Sequence, residues 1–85
     1  MNTINTYELS KMINREHRNV LRNVRSAMKS EYFQFTESCR EVDGRKFIVY
    51  EMDFENAIMM VGEFNLDFTE RRELIVKLKN HFEQN

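Results

Sequence analysis

FQFTESCREVDGRKFIVYEM, residues 33–52, is the stretch whose reading decides the fold. From Phe33 the helical period gives way to an alternating one, the mark of a strand. Asp43-Gly44 divides the stretch, and Asp-Gly between two such runs signals a two-residue hairpin turn. A turn of that length pairs Val42 with Arg45, Cys39 with Ile48, Glu37 with Tyr50 and Phe35 with Met52. The face carrying Phe35, Cys39, Ile48, Tyr50 and Met52 is the better core face, with Arg45 and Lys46 at the tip.

On both sides of the hairpin the period is helical. Thr6 can cap a short helix through about Ile13, burying Leu9, Met12 and Ile13. Asn14 then offers a cap for a second helix running to about Ser30. At about 100° per residue the second helix sorts into three stripes. Val20, Leu21, Val24, Ala27 and Met28 form an apolar arc with His17 at its start, and Asn19, Asn23, Ser26 and Ser30 form a polar one. Between them Arg15, Arg18, Arg22, Arg25 and Lys29 recur at spacings of three and four. Two helices joined by a turn at Asn14 read as helix-turn-helix.

Beyond the hairpin, Asp53 caps a third helix with Phe54, Ala57, Ile58 and Val61 on one side, ending near Gly62. Asp67 and Glu70 have capping-box spacing before a last helix to about Glu83, lined by Leu74, Ile75, Leu78 and Phe82. Met52, Met59 and Met60 read as gap-filling core. The expected fold is α+β: one small winged helix-turn-helix domain over residues 1–85, in the order helix, helix, β-hairpin, helix, helix.

Composition narrows the function. Eighty-five residues, 41% of them apolar, make one small domain with a thin core. The longest apolar run is Ala57–Val61, so no membrane span or signal peptide is expected. A single cysteine excludes an internal disulfide and suits a reducing cytoplasm. It also excludes a Cys-pair metal site, and His17 and His81 lie too far apart in sequence to argue for a His site. With no proline and two glycines there is no Gly-rich phosphate loop. No cofactor or metal is expected, and the chain does not read as an enzyme.

The net charge of −1 hides an asymmetry. Residues 1–30 carry a balance of +4 and residues 31–85 a balance of −5. A cationic face must therefore be local, and the second helix supplies it. Duplex DNA needs cations for phosphates and short polar side chains for base edges. Arg15, Arg18, Asn19, Arg22 and Asn23, with Arg25 and Lys29 further along, provide both on one helix. A merely solvated face normally mixes signs, whereas here Glu16 stands alone among five cations. Arg45 and Lys46 at the hairpin tip would touch backbone phosphate. His17 reads as a structural histidine between helix and hairpin, and Cys39 as a small buried hydrophobe.

The stretch His17-Arg18-Asn19-Val20-Leu21-Arg22-Asn23-Val24 resembles the His-x-x-Val-x-Arg-Asp-Ile segment of the Rha family of phage regulatory proteins. Phe35, Glu37-Ser38, Asp43-Gly44-Arg45-Lys46 and Tyr50 are similar to that family's hairpin, and Met52 to Phe82 is similar in layout. Asn14 stands where the family usually has Gly, and Asn23 where it usually has Asp. The resemblance implies a phage- or prophage-encoded, DNA-binding transcriptional regulator in the cytoplasm of a bacterial host.

Apolar side chains outside the expected core suggest a partner surface: Phe47, Val49, Phe64, Leu66, Phe68 and Val76. Phe64, Leu66, Phe68 and Val76 would form a homodimer interface, presenting two reading helices to two half-sites. The alternative is a small phage protein that binds and inhibits a host protein, or a phage repressor or defence protein, with the winged helix as scaffold.

Overall fold

In the computed structural model, which describes residues 2–84, the chain runs β1 (Ile4–Asn5), α1 (Thr6–Ile13), α2 (His17–Ala27), β2 (Thr36–Val42), β3 (Arg45–Met52), α3 (Phe54–Val61) and α4 (Phe68–Glu83). This is an α+β fold of four helices and a three-stranded antiparallel sheet, ordered β1-β3-β2. The expected domain limits, residues 1 and 85, lie outside the described residues.

The hairpin forms in the register dictated by its turn, with Val42 opposite Arg45, Cys39 opposite Ile48 and Glu37 opposite Tyr50. Asp43 and Gly44 have φ of 52° and 77°, both positive, as a two-residue turn matching the strand twist requires. The ladder begins only at Thr36, so Phe35 does not pair with Met52. Met52 instead faces Ile4 of β1, a strand the sequence reading missed.

The helix ends correct two expectations. Asn5, not Thr6, caps α1: its side chain accepts from Glu8 N–H while the Glu8 carboxylate accepts from Asn5 N–H. Asn14 ends α1 instead of starting α2; its φ of 54° is left-handed, a conformation Asn tolerates. The second helix accordingly begins at His17 and stops at Ala27, short of Ser30, with Glu16 at an N-cap that makes no side-chain bond. The expected caps Asp53 and Asp67 are both present. Two hydrogen bonds from Asn56, one backbone and one side-chain, hold the Asp53 carboxyl below its usual range.

Every element except β2 contributes to one core: Ile4 of β1, Leu9 and Ile13 of α1, Val20 and Val24 of α2, Tyr50 and Met52 of β3, Met60 of α3, Leu74 and Leu78 of α4. On the face of Tyr50 the core does not reach the rest of the hairpin, so Cys39 and Ile48 are exposed rather than buried. The opposite face of β3 is covered instead. Val49 is buried, and the Phe47 ring lies 5.3 Å from that of Tyr7 and 5.4 Å from that of His17.

The connection between α3 and α4 turns inward. Leu66 N–H donates to the Phe64 carbonyl at 2.9 Å, a tight turn, and both side chains enter the core. Phe64 (2% exposed) and Leu66 (5%) are therefore not surface residues, which removes half of the expected interface. The start of the chain is bound to the end of α4. Asn2 Nδ2 donates to the Phe82 carbonyl at 3.3 Å, and His81 Nε2–H donates to the Thr3 carbonyl at 2.9 Å. Among the described residues no helix is long and apolar enough to cross a membrane.

Candidate nucleic-acid interface

Burial of Val20, Val24 and Ala27 fixes which side of α2 faces inward. The opposite side is then set by the helical period, and it carries Arg18, Arg22 and Arg25, with Lys29 following in the turn after the helix, all exposed. With Ser26 these four line one shallow surface. Arg18 Nε pairs with Glu16 at 2.7 Å, an exposed contact that solvent screens. Arg22 Nη2 donates to Asn19 Oδ1 at 3.1 Å, and the Arg25 guanidinium lies 6.0 Å from the Tyr50 ring centre. Among the described residues Arg22, Arg25 and Lys29 form no ion pair.

Asn19 and Asn23 are half-buried on the adjoining stripe, beside a groove bounded by Arg22 and by Phe64, Asn65 and Leu66 of the inward loop. Arg15 stands apart from the row. It belongs to the turn before α2, where Nη1 donates to the Ile13 carbonyl and Nη2 pairs with Glu70 at 3.0 Å. It also lines the groove shared by Asn19, Arg22 and Asn23.

Arg45 and Lys46 are exposed at the hairpin tip, and they share a cleft with Tyr7, His17 and Phe47. The tip is thus brought alongside the N-terminal end of α2. Sequence reading missed Tyr7, Lys11 and Arg40, which gather there: both cations lie about 5 Å from the Tyr7 ring centre. The Tyr7–Lys11 spacing of four was legible on α1, but Arg40 joins them only through docking of the hairpin.

A hydrogen-bonded chain holds these elements in mutual position. Tyr50 N–H donates to Thr6 Oγ1 at 3.2 Å, continuing the β1–β3 ladder where β1 has ended. Thr6 Oγ1 lies 2.8 Å from His17 Nε2, joining β3, α1 and α2 in three atoms. Burial, and secondarily the Arg25 charge, push the His17 pKa below its ordinary value and favour the neutral ring beside Thr6.

Thr6→Val keeps the shape but leaves the Tyr50 N–H unsatisfied, and should cost about 1–3 kcal/mol in urea unfolding. The sign of the pH effect follows from the lowered pKa. The unfolded chain takes up a proton near pH 6.5 that the folded chain resists, so stability is full above that pH and falls as pH drops through it. His17→Gln should remove this dependence between pH 7.5 and 5.5 when the same unfolding midpoints are compared.

Among the described residues no group of three His, Cys, Asp or Glu side chains is placed to hold a metal ion. No protein-family model, curated protein or solved structure matches the chain.

Proposed function

We propose that this chain is a sequence-specific, duplex-DNA-binding transcriptional regulator of the winged helix-turn-helix type. In this reading α2 enters the major groove and the β2–β3 hairpin touches the backbone as a wing. The observation that carries it is the outward row Arg18, Arg22, Arg25 and Lys29, flanked by Asn19 and Asn23. Arg and Asn read guanine and adenine edges through paired hydrogen bonds, and the remaining cations neutralise phosphates. The sheet order β1-β3-β2 beside the α1–α2 pair supports the winged form. The resemblance of residues 17–24 and of the hairpin to the Rha family supports a phage or prophage origin and action in the bacterial host cytoplasm.

Selection of bound sequences from random duplex DNA, at two salt concentrations, tests the reading. The expected result is an enriched motif whose binding weakens steeply with salt. Retention of no duplex at either concentration would overturn it.

A protein partner has its own support in Phe68 and Val76 on α4, which remain 71% and 56% exposed. We assign this stripe to pairing of two copies, which would set two reading helices on a palindromic site. Sedimentation at micromolar concentration should give a dimer mass that Val76→Glu converts to a monomer. A monomeric wild type would retire the dimer and favour the second reading, in which the stripe binds a host or phage protein.

A further inference from the structure

Tyr7 lies half-buried in the first turn of α1, at a junction of three elements. Its ring is 5.3 Å from that of Phe47 on β3 and 6.0 Å from that of His17, the first residue of α2. Two cations are seated over it. Lys11 Nζ, one turn along α1, is 5.1 Å from the ring centre, and the Arg40 guanidinium carbon of β2 is 5.2 Å from it. Arg40 is the cross-strand partner of Phe47, so the hairpin register delivers it to the face that packs on Tyr7.

The two charges therefore lie within about 10 Å of one another, the sum of the two ring distances. Neither Lys11 nor Arg40 forms an ion pair among the described residues. Glu8, the acidic residue of α1, is engaged by its cap, accepting from Asn5 N–H at 3.1 Å. An aromatic ring holds a cation through its quadrupole without neutralising it and leaves its N–H donors available. Two like charges gathered on one ring repel, and an anion relieves the repulsion.

We propose that Lys11 and Arg40, seated on Tyr7, form a sequence-independent clamp for the phosphate backbone of the duplex that α2 reads. The inference rests on the DNA-binding reading and adds to it a second contact that carries no base information. The phosphodiester is the fitting anion because the cluster adjoins the other DNA-directed groups. Phe47 links it to the start of α2, and Tyr7 lines the cleft shared with Arg45 and Lys46. In a helix-turn-helix the first helix crosses the backbone while the N-terminal end of the second meets the bases. Tyr7 and Lys11 occupy that first helix, beside that end of the second. Holding both cations before DNA arrives reduces the ordering that binding requires.

The test is fluorescence anisotropy on a duplex with the selected site and on an unrelated duplex, over a salt series. The double variant Lys11→Gln, Arg40→Gln should weaken binding by the same factor on both duplexes. Its slope of log affinity against log salt should be shallower by about 1.8, two phosphate contacts. Tyr7→Leu should keep the slope but lose affinity a few-fold on both, since the charges stay and only their seating is lost. Both substituted cations are exposed, so thermal unfolding should match the wild type. If the double variant keeps the wild-type slope while Arg22→Ala still weakens binding, the clamp is wrong and the reading by α2 stands. A loss confined to the selected site would equally overturn a sequence-independent role. A wild type that binds neither duplex would overturn the DNA-binding reading itself, and the clamp with it.

Discussion

Phe64→Ala is expected to cost about 3–5 kcal/mol of stability, the range for truncating a buried aromatic ring. A domain of this kind has about 5–15 kcal/mol in total, so the variant should be partly unfolded at modest denaturant. The size follows from burial: the ring is 2% exposed, at a turn that directs it into the same core as Leu66. Phe68, four residues on, is the control. It is 71% exposed, and Phe68→Ala should change stability by less than about 0.5 kcal/mol. Urea titrations of the two variants should separate by a wide margin in midpoint. A Phe64→Ala midpoint equal to the wild type would return that residue to the surface.

Combined replacement of Arg18, Arg22 and Arg25 by glutamine should reduce DNA binding most of all single-surface changes. Losing three positive charges from that surface should also flatten the salt slope. Arg18→Ala and Arg22→Ala alone should each cost about 1–3 kcal/mol where they meet a base, with relaxed preference at that base. Lys46→Ala should act alike on all sequences. Arg15→Ala would in addition break the pair with Glu70. Its loss should appear as at most about 1 kcal/mol of stability, the usual worth of a solvent-accessible pair. DNA binding unaffected by the triple replacement would reject the assignment of α2.

The hairpin and the caps at Asp53 and Asp67 were legible because each rests on a rule spanning two to four residues. Asn14 was misread because Asn suits both an N-cap and a left-handed helix end. The cap at Asn5 was legible and passed over: Asn5 and Glu8 have the same spacing as Asp67 and Glu70, whereas Thr6 has Leu9 at that position. The strand β1 is two residues long, too short for any period to register. Cys39 and Ile48 were assigned to the core by alternation alone, which reports which side chains share a face and not which face is covered along its length. The inward course of Phe64 and Leu66 depends on a tight turn between helices, and polar-loop reasoning points the other way. Of the candidate site, the α2 row was visible from spacing. The pairing of Arg15 with Glu70 and the gathering of Arg40 with Lys11 both depend on contacts between distant segments.

The bonds joining Asn2 to Phe82 and Thr3 to His81 connect residues about 80 apart in sequence, while the hairpin and the α1–α2 pair are built from neighbours. Closing so long a loop costs more chain entropy than closing a hairpin, so the hairpin and helix pair should form before this seam does. Interactions absent from the folding transition state act on the unfolding rate. Removing the side-chain donors of the seam, for example with the double variant Asn2→Ala, His81→Ala, should therefore speed unfolding while leaving the folding arm of a chevron plot nearly unmoved. On this expectation the lifetime of the native state, as distinct from how quickly it is reached, depends on the residues just before the first strand holding the last helical turn.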